Sequence, residues 1–185
     1  FSFEKLADAN SYLGPEMKRT GEVLGVASTL NEALFKGLAA AGHCLSGPVP
    51  GRAGVLLSVD SRDQDEVVSL AKKLDDIGFR IYATPETAVS VSRLGADVVQ
   101  VGDIRSEALS LLDSGVISFA VYTGALMDST VEDYMALSRR ALSLSVPCFT
   151  SLDTANAAAD IIRSRFNLSN TELVDINHMR YERQR

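Results

Sequence analysis

At 185 residues, 46% hydrophobic and 23% charged, the chain has the composition of an ordinary globular protein, which excludes collagen, coiled coil and an unstructured polyelectrolyte. With 24 acidic residues against 18 basic the net charge is −6, so the basic face that nucleic-acid phosphates require is missing and no nucleic-acid partner is expected. No apolar run approaches the ~20 residues of a membrane-spanning helix and no signal-peptide pattern opens the chain, which points to a soluble, cytoplasmic protein with no membrane partner.

The first stretch, Phe1 to about Ala27, carries Gly14, Pro15, Gly21 and Gly25 without a helical period and reads as short strands and turns. Thr29 and Glu32 form a capping box, and Leu30, Ala33, Leu34, Leu38 and Ala41 follow at helical spacing until Gly42. Ser46 to Gly51 is a cluster of turn formers with no apolar period and reads as a linker. The expected organisation is therefore residues 1–45, a linker at 46–51, and a domain at 52–185.

Within that domain strands and helices alternate. Val55 to Val59 is a first apolar run, followed by a second capping box, Ser61 and Gln64, ahead of Val67, Leu70, Ala71 and Leu74. Phe79 to Ala83 is a second run, and Thr84-Pro85 supplies an N-cap with proline at the first helical position for a helix ending near Gly95. Val98, Val99 and Val101 precede a helix over Glu107 to Leu112. Phe119 to Tyr122 and Cys148-Phe149 complete the strands, with helices starting at Ser129 to Glu132 and near Asp153. Thr171 to Ile176 reads as a further short strand, and His178 to Arg185 as a charged tail.

Five βα units with continuous apolar strands predict a doubly wound α/β fold, a five-stranded parallel sheet with helices on both faces and right-handed crossovers. Cys44 and Cys148 lack disulfide or metal spacing and read as two reduced core thiols.

In such a sheet the ligand crevice lies at the carboxyl ends of the strands, where helix N-termini present free N–H groups and a positive dipole to anions. The turns to weigh are Asp60-Ser61-Arg62, Thr84 to Thr87, Gly102 to Arg105, Tyr122-Thr123-Gly124 and Thr150-Ser151. Thr84 and Thr87 place two hydroxyls around one helix start, which suits either helix capping or phosphate binding. No Gly-rich dinucleotide fingerprint, no Walker A sequence and no histidine falls within the five units. His43 and His178 lie outside them, and no acid/base pair stands out.

The words GPEMKRTGEVLGV (Gly14 to Val26) and GRAGVLLSV (Gly51 to Val59) resemble the closing part of the large chain of carbamoyl phosphate synthase, and AKKLDDIGFRIYAT (Ala71 to Thr84) and SRRALSLSVPCFTSL (Ser138 to Leu152) follow in the same order. The resemblance implies that residues 1–45 are the end of the second ATP-grasp synthetase unit and that the remainder is a methylglyoxal-synthase-like allosteric domain, with strand order 3-2-1-4-5. A chain beginning at Phe1 is then expected to be a piece of a longer one.

In the family the parent is an ATP- and Mg²⁺-dependent ligase serving arginine and pyrimidine biosynthesis, with a small glutaminase chain as partner. The resemblance thus implies a non-catalytic region holding neither cofactor nor metal, packed on the rest of the large chain, able to form homo-oligomers and to bind a nucleotide monophosphate or ornithine.

Carried over residue by residue, the family's T-x-G-T phosphate turn corresponds to Thr84-Pro85-Glu86-Thr87, with Glu86 replacing the glycine. Its lysine at the start of the first helix is Gln64, its lysine after the third strand has no match in Val101 to Ile104, and its Asn-Thr-Thr turn reads Tyr122-Thr123-Gly124. The threonine that contacts ornithine corresponds to Thr150. The expected effector-binding set is therefore Thr84, Thr87, Thr123 and Thr150, with Arg62 and Arg105 as compensating cations. Loss of two lysines removes charge-assisted contacts worth roughly 1.5–3 kcal/mol each, so weak or no nucleotide binding is expected. Two other functions compete: an oligomerisation module without effector, and a methylglyoxal synthase, which would need a histidine beside the phosphate turn.

Overall fold

The computed structural model describes residues 23–43, 45–93, 95–124, 131–165 and 170–171. The GPEM words before Val23, Cys44, nearly all of the expected strand at 171–176 and the tail at 178–185 lie outside the described residues.

Helix α1 (Leu30–Ala40) starts as its sequence indicates, with Thr29 Oγ1 accepting from Glu32 N at 3.3 Å. Then come β1 (Gly54–Ser58), α2 (Gln64–Ile77), β2 (Arg80–Ala83), α3 (Pro85–Ser92), β3 (Val98–Gln100), α4 (Leu109–Asp113), β4 (Ile117–Tyr122), α5 (Val131–Ser143), β5 (Cys148–Phe149) and α6 (Leu152–Ser164). The strands form one sheet in the order β3-β2-β1-β4-β5, and every pairing is parallel.

Alternation along β1 divides the core. Val55, Leu57 and Val59 face a cluster with Val67, Leu70 and Leu74 of α2, Val91 of α3 and Ala155, Ala158 and Ile161 of α6. Leu56 faces the other way, onto Leu112 of α4 and Tyr134 and Leu137 of α5. Helices therefore cover both faces, which is why the central strands are apolar at consecutive positions rather than alternate ones. Phe119 sits at the centre of the first cluster, its ring 5.7 Å from each of Phe79 and Phe149 in edge-on geometry. Phe35 of α1 and Leu45, both before the expected linker, are buried in the same cluster. At Gly54 a Cβ would stand 2.9 Å from both Val116 O and the Tyr82 ring, so only glycine lets β1 pass between its neighbours.

Three local readings of the sequence are corrected. Ser61 and Gln64 do not form a capping box: Ser61–Asp63 is a 3₁₀ turn capped by Asp60, whose side chain accepts from Arg62 N at 3.0 Å. The helix after Thr84 ends at Ser92 rather than near Gly95. The helix expected from Glu107 begins with a π-helical turn at Ile104–Ala108, capped by Asp103, before α4. In the first and third cases a strand-end aspartate outcompetes the expected start, because its carboxylate reaches free N–H groups earlier in the chain.

No helix among the described residues is long and apolar enough to cross a membrane.

Candidate functional site

The strand order reverses between β2-β1 and β4, so the crevice of the sheet opens beyond the carboxyl ends of β1 and β4. A cleft of about 550 Å³ lies there, lined from β1 by Ser58 and Asp60, from the β2 turn by Thr84 and Glu86, and from the β4 turn by Tyr122, Thr123 and Gly124. Ile104 and Asp133 close its far wall.

Hydroxyls hold the floor together. Thr87 is fully buried, and its Oγ1 accepts from Val59 N at 3.1 Å, which spends that oxygen on the end of β1. Thr84 occupies the N-cap position of α3 without a side-chain cap bond; its hydroxyl lies 3.3 Å from Ser58 Oγ and 3.4 Å from Thr87 Oγ1. Thr123 Oγ1 accepts from Asp60 N at 2.9 Å and donates to Asp63 Oδ2 at 2.5 Å. Gln64, where the family resemblance expects lysine, donates to Val59 O at 2.9 Å, while its Oε1 is buried without a partner. Gly124 (φ +82°) turns the chain past Asp60, and a Cβ there would stand 3.2 Å from Asp60 Oδ2.

The two arginines expected as compensating cations are both consumed by carboxylates. Arg62 Nε donates to Asp60 Oδ1 at 2.9 Å, and this hydrogen bond holds the Asp60 carboxyl below its usual range and the Arg62 guanidinium above its own. Arg105 donates to Glu132 Oε2 and Asp133 Oδ1, each at 2.6 Å, and these bonds raise its pKa in the same way. Arg105 lines a separate groove beside β3 rather than the cleft.

Of the expected set, the structure brings Thr84 and Thr123 to the cleft wall and places Thr87 beneath it. Thr150 is exposed beyond β5 and does not line the cleft. Sequence reasoning missed the partners that decide the electrostatics: Asp63, Glu132 and Asp133. An acidic pair in the first turn of a helix facing a strand-end turn was the available signal. Among the described residues no three His, Cys, Asp or Glu side chains gather in a metal-binding arrangement.

Among the described residues the cleft is thus walled by hydroxyls and carboxylates, with no histidine, lysine or arginine in its lining. Such a surface can donate and accept hydrogen bonds but opposes a phosphate dianion. Outside the cleft, His43 is half-buried, and desolvation lowers its pKa. Cys148 is partly buried, and desolvation pushes its thiol up to about 12, which makes it a poor nucleophile.

A family model described as the MGS-like domain matches residues 66–150, from the first turn of α2 to the end of β5. Among solved structures the chain is similar to methylglyoxal synthase from Elizabethkingia anophelis NUHP1, with a TM-score of 0.51 and 18% identity over 60% of this chain and 79% of that one. At this identity the likeness is one of fold.

Proposed function

We propose that this chain is a regulatory region of a larger ligase of the carbamoyl phosphate synthase type, and that its cleft receives an effector rather than a reacting substrate. The observation that carries this reading is the chemistry of the cleft wall. A methylglyoxal synthase needs an acid/base pair that includes a histidine and a cradle that accepts a triose phosphate. Here the Thr84 turn is flanked by Glu86, Asp60 and Asp133, and no histidine is among the described lining residues.

The order of sequence words from Gly51 to Leu152 supports the ligase as parent. In this reading residues 1–45 belong to the end of its second synthetase unit, while ATP and Mg²⁺ chemistry and the glutaminase partner are matters for the rest of the enzyme. Thr84 and Thr123 orient an effector by hydrogen bonding, and Thr87 keeps the floor of the cleft rigid beneath it. Ornithine or another amine-bearing molecule suits the carboxylate wall better than a nucleotide monophosphate, whose phosphate finds no cation among the described lining residues.

Two assays test the reading together. Incubation with dihydroxyacetone phosphate is expected to give no methylglyoxal, and a thermal-shift series is expected to show ornithine raising the melting temperature with uridine and inosine monophosphates inactive. Methylglyoxal formation overturns the regulatory assignment, and micromolar nucleotide binding overturns the account of the cleft.

A further inference from the structure

Helices that follow parallel strands run back along the sheet, so α2 and α6 both end at the edge opposite the cleft. There a groove of about 650 Å³ lies between the two helices, with Gly47 and Pro48 at its side. Its charge departs from that of the molecule. In a chain of net charge −6, Lys72, Lys73, Arg163 and Arg165 line this one groove with a single lining carboxylate, Asp76, while Asp160 pairs with two of the cations from beside it.

Those carboxylates do not neutralise it. Asp160 is shared between Lys73 at 3.0 Å and Arg163 at 3.3 Å, and Asp76 is 3.6 Å from Lys72. No carboxylate among the described residues pairs with Arg165. That residue closes α6 in the left-handed region (φ 54°), where glycine is the usual occupant, so an arginine at this position carries a conformational cost. Ile77 and Ile162 add apolar surface to the groove.

We propose that this groove binds a small polyanion, a phosphorylated or polycarboxylate metabolite, between the Lys72–Lys73 wall and the Arg163–Arg165 wall. The anion bridges two cationic walls that the carboxylates among the described residues leave in excess, and the apolar residues accept its carbon skeleton. The site is separate from the cleft and does not depend on the effector reading.

The test follows the melting temperature of the full chain with inorganic pyrophosphate and with citrate, against sodium chloride at matched ionic strength. A saturable rise of several degrees with at least one probe is expected, and its absence in the Lys72→Gln/Arg165→Gln double variant, whose altered side chains are exposed and whose fold is checked by circular dichroism. Amide shift perturbation clustered around residues 72–73 and 163–165 is the second expected readout. A response to pyrophosphate alone or citrate alone identifies which of the two chemistries is recognised. No rise beyond the salt control, an equal rise in the double variant, or a rise abolished by Thr84→Val instead overturns the proposal.

Discussion

Asp60 and Thr123 stand 63 positions apart, and the amide of the first donates to the hydroxyl of the second at 2.9 Å. This bond joins the carboxyl ends of β1 and β4 at the point where the strand order reverses. Because the same hydroxyl also donates to Asp63, one side chain ties together two strands and the turn that leads into α2.

Replacing Thr123 with valine keeps its shape and removes both bonds, leaving the Asp60 amide and the Asp63 carboxylate without that partner. A loss of about 1–3 kcal/mol in unfolding free energy is expected, measured by urea denaturation. Thr123→Ser retains the hydroxyl and is expected to recover most of it.

Arg105, which lines the groove beside β3, is held by Glu132 and by Asp133, and the second of these carboxylates also lines the cleft. The double variant Glu132→Gln/Asp133→Asn releases the guanidinium and removes negative charge from the cleft wall. Calorimetric titration with uridine monophosphate is expected to show binding to this variant that weakens with added salt, and none to the unaltered chain. Equal behaviour of the two proteins argues against carboxylates as the cause of phosphate exclusion.

The pH dependence of stability follows from two depressed pKa values. Desolvation lowers that of His43 below the ordinary 6.5, so the unfolded chain binds the proton first. Stability is therefore full above 6.5 and falls with acidification until the folded-state value is passed. Asp60, held low by Arg62, adds a second loss below the ordinary carboxylate value of 3.8. Melting temperatures across this range are expected to decline in both windows, and His43→Gln is expected to flatten the upper one only.

Phe119→Ala removes the ring that Phe79 and Phe149 both contact and leaves a cavity in the centre of the larger core cluster. The expected cost is about 3–5 kcal/mol by chemical denaturation, with Phe119→Leu costing less because it refills part of the space.

The strands, their parallel sense and the start of α1 were legible because each is written in a contiguous run of residues, whereas the strand order came only with the family resemblance. Val55 to Val59 is apolar at every position but Ser58, and Thr29 caps a helix whose period begins at the next residue. Local competition was harder to read: Asp60 and Asp103 each captured a turn that other residues were expected to start. The electrostatics of the cleft were not legible at all. Whether Arg105 is a free cation depends on Glu132 and Asp133, 27 and 28 positions later on another helix, and only the packing of α5 against the π-helical turn brings them together. Thr87 illustrates the same limit, since its hydroxyl was available in sequence and is spent on Val59 N in the fold.

The sheet tapers outward, from five and six residues in β1 and β4 to three in β3 and two in β5. Its margins therefore present few open backbone donors and acceptors to a neighbouring molecule. Cross-β templating at these borders is disfavoured, and self-association in concentrated solution is left to side-chain surfaces, where charge and salt govern it.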